Sequence, residues 1–176
     1  MPNTYYLIAS NTVGSGGAGS VTFSSIPQTY TDLIVKVSTR SSRTDHNDYM
    51  YMVFNGSFAT VYSAKQLLGD SNAGYSGSAT GSPYIYYSTQ NGASSTASTF
   101  ANIEMYIPNY TSSNFKSVSI DSVQENNTTT TNHSIQAIIA GLWQDTSAIT
   151  SITFGPFFGS TISEHSTFYL YGIKKS

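Results

Sequence analysis

The chain has 176 residues, a length that suits one domain with a sizeable core. Charged residues make up only 9% of it, against roughly 25% in typical globular domains. A net charge of −2 argues against nucleic acid as a partner, and no apolar run reaches the ~18 residues of a membrane helix. Because 14 tyrosines and 9 phenylalanines supply a core, we expect a globular chain rather than a disordered one.

Period-two patterns dominate the first third of the chain, as expected for strands with one buried face. In "DLIVKVST" (residues 32–39), Leu33, Val35 and Val37 share one side. Asn55-Gly56 is the strongest short hairpin signal, so "FATVYS" (residues 58–63) is predicted as the returning strand. The other predicted strands here are "TYYLIAS" (4–10), "SVTFSSI" (20–26) and "YMYMVFNG" (49–56).

The middle of the chain is predicted to be irregular. Residues 69–98 are rich in glycine and serine, apart from the aromatic island "PYIYYS" (83–88), and are interpreted as an elaborated loop. The only helical hint is a short one at residues 64–68.

Strand patterns resume after residue 100. "SIQAIIAGLW" (134–143) is apolar on both faces, which predicts a central strand buried on both sides. In the closing "STFYLYGI" (166–173), we expect Phe168 and Leu170 in the core and Tyr169 and Tyr171 on the opposite face. The remaining strands are "NIEMYIP" (102–108), "FKSVSID" (115–121) and "AITSITF" (148–154).

About ten short strands at close spacing, without crossover helices, indicate an all-β fold. We predict a single antiparallel β-sandwich, jelly-roll-like, that spans residues 1–176 as one domain with the loop at about 69–98.

Two motifs suggest ligands but fit simple connections better. "GSGGAG" (residues 14–19) has the dinucleotide spacing, yet a strand follows where the phosphate site needs a helix. "RTDHND" (residues 43–48) gathers Asp45, His46 and Asp48, but no distal Glu completes a calcium loop. We interpret the first as a β–β connection and the second as a turn.

No catalytic, cofactor-binding or metal-binding residue is predicted. There is no cysteine, and His133 and His165 show no metal-ligand spacing. Glu104, Glu125 and Glu164 cannot be paired from their spacing, and no nucleophile motif occurs, so we expect a protein that is not an enzyme. The start of the chain lacks the charged region of a secretory signal, so we expect no glycosylation at the N-x-[ST] sequons Asn55, Asn109, Asn126, Asn127 and Asn132.

Tyrosines recur on both faces of several predicted strands, and one face of each sheet must be the outer one. These side chains either pack across strands or meet a partner, because tyrosine suits both protein interfaces and sugar-binding platforms. The pairs are Tyr5/Tyr6, Tyr49/Tyr51, Tyr86/Tyr87 and Tyr169/Tyr171.

Five segments in this order resemble virion structural proteins of tailed bacteriophages, notably those of aquatic bacteria such as cyanobacteria. They are "FSSIPQTYTDLIVKVSTRSS" (23–42), "FNGSFATVYS" (54–63), "MYIPNYTSSNFKSVS" (105–119), Trp143 with "TSAITSITF" (146–154), and "STFYLYGIKK" (166–175). The chain departs from the family in Val53, where relatives often carry a basic or polar residue, and in its long Ser/Gly-rich middle segment.

The resemblance implies a non-enzymatic β-sandwich carried on the phage particle. Family members are described as capsid decoration (cement) proteins or as tail and fibre components. The expected partner is therefore the major capsid protein, with the chain as a homo-oligomer, possibly a trimer, on the outer surface of a virion assembled in the host cytoplasm. The alternative is a tail or fibre module that binds host-surface carbohydrate through its tyrosines. We expect neither nucleic acid nor membrane as a partner.

Overall fold

The computed structural model describes residues 4–70, 72–130, 133–159 and 161–174, and within them the chain is all-β. None of these residues belongs to a helix that could span a membrane. The strands are β1 (Tyr5–Thr12), β2 (Val21–Phe23), β3 (Asp32–Thr39), β4 (Asn47–Phe54), β5 (Tyr62–Gly69), β6 (Gly74–Ser82), β7 (Ile85–Asn91), β8 (Ala101–Ile107), β9 (Lys116–Gln124), β10 (Ile135–Trp143), β11 (Ile152–Pro156) and β12 (Thr167–Ile173).

These strands form two antiparallel sheets. One sheet has eight strands in the order β1-β12-β3-β8-β9-β10-β5-β6, and the other has four in the order β2-β11-β4-β7. The predicted all-β antiparallel sandwich is confirmed. The jelly-roll comparison is approximate, since the described chain has twelve strands rather than about ten and divides them unequally.

The core lies between the two sheets. Every second residue of β9 and β10 is buried, which brings Ile120 and Ile139 onto the inner face of the large sheet. From the small sheet, Met50, Met52 and Phe54 of β4 are buried in the same apolar cluster. Strand β7 joins the layers, because it contacts β5, β8, β9 and β10 of the large sheet.

The outer face of β10 is exposed, which corrects the prediction of a strand buried on both sides. Ile138 keeps 64% of its surface exposed, and Gln136 and Ala140 are also exposed. Strand β10 is interior to its sheet, between β9 and β5, but the small sheet covers only its inner face. Burial in the core therefore does not explain why the outer face of β10 carries apolar residues.

The C-terminal strand is an interior strand of the large sheet. Strand β12 pairs with β1 on one side and with β3 on the other. Phe168 and Leu170 are fully buried, while Tyr169 is 37% exposed and Tyr171 is half-buried, as predicted. The closing segment of the chain is ordered because it supplies hydrogen bonds to two neighbours.

Asn55-Gly56 forms a tight turn, but the hairpin predicted around it is wrong. Both residues have positive φ (52° and 64°), and the Ser57 amide donates to the Phe54 carbonyl at 2.9 Å. Strand β4 already pairs with β11 and β7. The chain after the turn therefore crosses to the other sheet, where β5 begins at Tyr62 and pairs with β10 and β6.

Residues 69–98 contain two strands, which corrects the prediction of an elaborated loop. Strand β6 lies at the edge of the large sheet, and β7 lies at the edge of the small one. The glycine- and serine-rich sequence of β6 shows no alternation of apolar and polar residues that would predict a strand. We infer that β6 forms because it can pair with β5. The short helix expected at residues 64–68 is part of β5.

Replacing Leu170 by Ala should lower the free energy of unfolding by about 2–5 kcal/mol, because the side chain is fully buried and its removal leaves a cavity. Replacing Tyr171 by Ser, one residue further on the outer face, should cost clearly less. Urea unfolding of both variants, followed by tryptophan fluorescence, measures the difference. Equal losses would contradict the observed orientation of β12.

Stability should fall above about pH 10, because burial raises the pKa of Tyr62 to about 12 while an unfolded tyrosine ionises near 10. The unfolded chain loses its proton first, so this contribution is present below pH ~10 and lost as the pH rises through about 12. In Tyr62→Phe the alkaline loss should be shallower. The variant should also lose about 1–3 kcal/mol at neutral pH, since the Phe54 amide loses its acceptor. Thermal unfolding against pH tests both effects.

Candidate binding surfaces

The outer side of the four-stranded sheet carries one connected group of aromatic rings, here called the aromatic face. Neighbouring ring centroids lie 4.0–6.4 Å apart, in stacked, tilted and edge-to-face arrangements. Phe58 and Phe158 are about half exposed, and the other six rings are half-buried. Its members are Tyr49, Tyr51, Phe58, Tyr84, Tyr86, Tyr87, Phe157 and Phe158.

A β-bulge presents two adjacent tyrosines on this face. The register between β4 and β7 shifts, so that Tyr51 lies opposite both Tyr86 and Tyr87. The two rings are 4.0 Å apart, and the Tyr86 hydroxyl donates to the Tyr87 hydroxyl at 3.0 Å. Tyr87 has φ of 90°, a conformation that is costly for a residue with a side chain. In a regular strand the two side chains would point to opposite faces.

A glycine on the neighbouring strand makes room for Tyr51. The Tyr51 ring lies so close over Gly155 that an added Cβ there would be 2.5 Å from the tyrosine oxygen and 2.6 Å from Cζ. Gly155 and Tyr51 are direct partners in the pairing of β11 with β4. The small residue therefore lets the ring lie close against the sheet, where it also stacks with Tyr84 at 5.3 Å.

Three hydroxyls of the aromatic face, those of Tyr49, Tyr51 and Tyr86, are held in the neutral form at physiological pH. Burial raises the pKa of Tyr49 and of Tyr51, and burial together with the Tyr87 hydrogen bond raises the pKa of Tyr86 to about 12. The Arg43 guanidinium borders the face and lies 3.7 Å from the centre of the Phe158 ring. Arg43 is itself paired with Asp45 at 3.0 Å, so the border carries little net charge.

A second exposed apolar area lies on the outer side of the eight-stranded sheet and is here called the aliphatic strip. Ile138 of β10 and Leu67 of β5 are direct cross-strand partners and are 64% and 66% exposed. Ala140 and Val123 extend it along β10 and onto β9. A shallow groove of about 620 Å³ runs over Leu67, Ile138 and Ala140.

The acidic loop proposed to be a turn is held by its own hydrogen bonds. The Asp45 carboxylate accepts from the His46 amide at 2.7 Å, and Asp48, fully buried, accepts from the Tyr49 amide at 2.7 Å. The His46 ring stacks on His133 at 3.5 Å, a contact that the sequence did not predict. Among the residues that the structure describes, no three acidic or histidine side chains gather as metal ligands would.

The three glutamates considered for catalysis belong to separate elements. Glu104 on β8 pairs with Lys36 at 2.8 Å, and Glu164 lies 4.0 Å from His165. Glu125 accepts the amides that follow it, at 2.9 and 2.6 Å. The "GSGGAG" segment connects β1 to β2, as its context indicated.

Two of the sequon asparagines are used inside the fold. The Asn55 side chain donates to the Ala148 carbonyl at 2.9 Å, and its oxygen accepts from the Thr150 amide at 2.8 Å. Asn126 is buried and accepts from the Thr96 amide. Asn109 and Asn127 are exposed, and Asn132 lies outside the described residues, as does Lys175 at the end of the chain.

Sequence reasoning identified half of the aromatic face. The tyrosine pairs of β4 and β7 indicate this surface, whereas Phe58, Tyr84, Phe157 and Phe158 lie outside those pairs. Phe157 and Phe158 belong to the "PFFG" segment (156–159), whose first residue ends β11, and an aromatic pair beside a glycine was the available signal. A scan against protein-family models finds no match, and a search of curated proteins finds none either.

We expect EDTA and Ca²⁺ to leave the Tm unchanged, because the Asp45 and Asp48 carboxylates already have protein partners. Differential scanning calorimetry of the native chain and of an Asp45→Ala variant measures this. A chelator-induced drop in the native chain that disappears in the variant would establish a calcium site. Asp48 is unsuitable for this test, since substitution of a fully buried carboxylate changes stability by itself.

Proposed function

We propose that this chain is a non-enzymatic structural protein of a tailed-phage particle. In this role it is a capsid decoration protein that binds over contacts between major capsid proteins on the outer surface of the virion. The observation that supports the proposal is the aliphatic strip, where Leu67 and Ile138 lie side by side with most of their surface exposed. Such a patch on a protein surface rich in hydroxyl side chains is typical of an interaction site.

The pattern around the strip suits a protein partner. Along one row of the large sheet, pairing sets Lys36, Glu104 and Asp121 beside Ile138 and Leu67. The apolar pair therefore has charged residues on one side and the small serines of β6 on the other. Protein interfaces commonly have this arrangement of an apolar centre and a polar rim.

Binding of this kind stabilises a shell by mass action. A ligand that binds only the assembled state lowers its free energy, and many copies of a modest interface add up. This mechanism needs neither a cleft nor a catalytic group.

The edges of the large sheet favour a homo-oligomer. The edge strands β1 and β6 carry no charged side chain, so no charge repels a neighbouring strand. Contact of β1 in one copy with β6 in the next would be head-to-tail, and such contacts form a ring when the rotation between copies closes after a whole number of subunits. A trimer is the ring that we propose.

A tail or fibre module that binds host-surface carbohydrate is the second candidate, and the aromatic face favours it. Copy number separates the two, because a capsid shell presents on the order of hundreds of equivalent sites whereas a tail presents roughly a dozen or fewer. Quantitative mass spectrometry of purified virions measures this number. A low count would contradict decoration of the shell.

Replacing Leu67 and Ile138 by Ser should abolish attachment to particles that lack the native chain. Stability should change little, since both side chains are mostly exposed. Co-sedimentation of purified protein with such particles measures attachment. The matched control is Phe58→Ser, a similarly exposed residue on the opposite outer face, which should attach normally. Normal attachment of the double variant would exclude the aliphatic strip as the interface.

A further inference from the structure

We propose that the aromatic face is a binding site for neutral polysaccharide chains. The inference rests on the proposed function only for its orientation: attachment through the large sheet leaves the outer side of the small sheet facing the medium. The binding chemistry itself comes from the residues of the aromatic face.

The composition of the face matches the surface of a sugar. Its eight members are all aromatic and include five tyrosines, so apolar ring faces alternate with hydroxyls that both donate and accept. A pyranose ring offers the complement, with C–H groups on its faces and hydroxyls around its rim. Ligand sites commonly combine such aromatic walls with a few placed polar groups.

The lack of charged side chains among the members of the aromatic face favours a neutral polysaccharide over an acidic one. The eight side chains are tyrosines and phenylalanines, with no acidic or basic residue among them, and the bordering Arg43 is paired with Asp45. An acidic polysaccharide would find no unpaired cation on the face itself. A neutral chain has no charge to desolvate and keeps its contacts at high salt.

The backbone at Tyr87 indicates that the paired tyrosines are displayed for a purpose beyond folding. A non-glycine residue at φ of 90° costs of order 1–3 kcal/mol, and such strain clusters at functional sites. Here the strained residue places Tyr86 and Tyr87 on the same outer side, with their hydroxyls in contact. Regular pairing would remove the strain but would turn one ring inward.

The rings are held rigid, which lowers the entropy cost of binding. Phe157 contacts Tyr84, Tyr86 and Phe158, and Tyr51 is held against Gly155. Of the most exposed rings, Phe58 joins the group through Tyr51, and Phe158 joins it through Tyr49 and Phe157. Because these two exposed rings join the group at different positions, the face suits a chain of several sugars better than a single sugar.

The test uses the purified chain on an array of bacterial surface polysaccharides that includes both neutral and acidic chains. We expect binding to neutral chains that persists at high salt. Tyr87→Gly should weaken it about tenfold or more, which corresponds to about 1.4 kcal/mol. Glycine adopts the positive φ without strain, so this variant removes the ring while the backbone conformation is retained.

Matched variants separate binding from folding. Phe58→Ser and Phe158→Ser, at exposed positions, should weaken sugar binding without loss of cooperative unfolding. Tyr169→Ser, on the outer side of the large sheet, should bind as the native chain does. The Leu67/Ile138 double variant should lose particle attachment and keep sugar binding, so the two proposals fail separately.

Several results would overturn the proposal. They are the absence of binding to every chain on the array, binding to acidic chains alone, and native affinity in Tyr87→Gly or in both phenylalanine variants. Loss of particle attachment in the phenylalanine variants would instead identify the aromatic face as a protein interface.

Discussion

Burial of one side of an eight-stranded sheet against a four-stranded one is the constraint on which the rest of this structure depends. The inner faces of both sheets form a single apolar cluster that contains Phe54, Trp143, Phe154 and Phe168. The free energy of folding comes mainly from removing this surface from water. Both outer faces are left to other uses, and each carries a distinct kind of exposed apolar surface.

The link between the sheets at Asn55-Gly56 shows how the layers are joined. The turn ends β4, and the chain then passes to β5 in the other sheet. There the Tyr62 hydroxyl accepts a hydrogen bond from the Phe54 amide at 3.0 Å. The same hydroxyl donates to the Ser57 carbonyl at 3.0 Å. One buried tyrosine thus satisfies backbone groups at the point where the chain leaves the four-stranded sheet. Its ring also stacks on Trp143 of the eight-stranded sheet.

The two outer faces differ in chemistry, and this difference carries the functional argument. The aliphatic strip consists of exposed aliphatic side chains on adjacent strands, whereas the aromatic face consists of interlocked rings, several of which carry hydroxyls. The first suits a protein surface that excludes water, and the second suits a ligand that is partly apolar and partly hydroxylated. A thin sandwich with two such faces can be attached on one side and make contacts on the other.

The sequence by itself determined the all-β class, most strand positions and the inward side of β12, because alternation of apolar and polar residues depends only on the pleat of a strand. It also identified Asn55-Gly56 as a turn, since both positions need positive φ. Only the tertiary structure decided which strands pair, because most partners, such as β12 with β1 and β3, are far apart in the sequence. The tertiary structure also determines that β6 is a strand and that Ile138 is exposed. A bulge in the strand pairing places Tyr86 and Tyr87 on the same side of the sheet. The tyrosine pair at the centre of the aromatic face follows from that register shift, and periodicity along a single strand carries no information about the register of its partner.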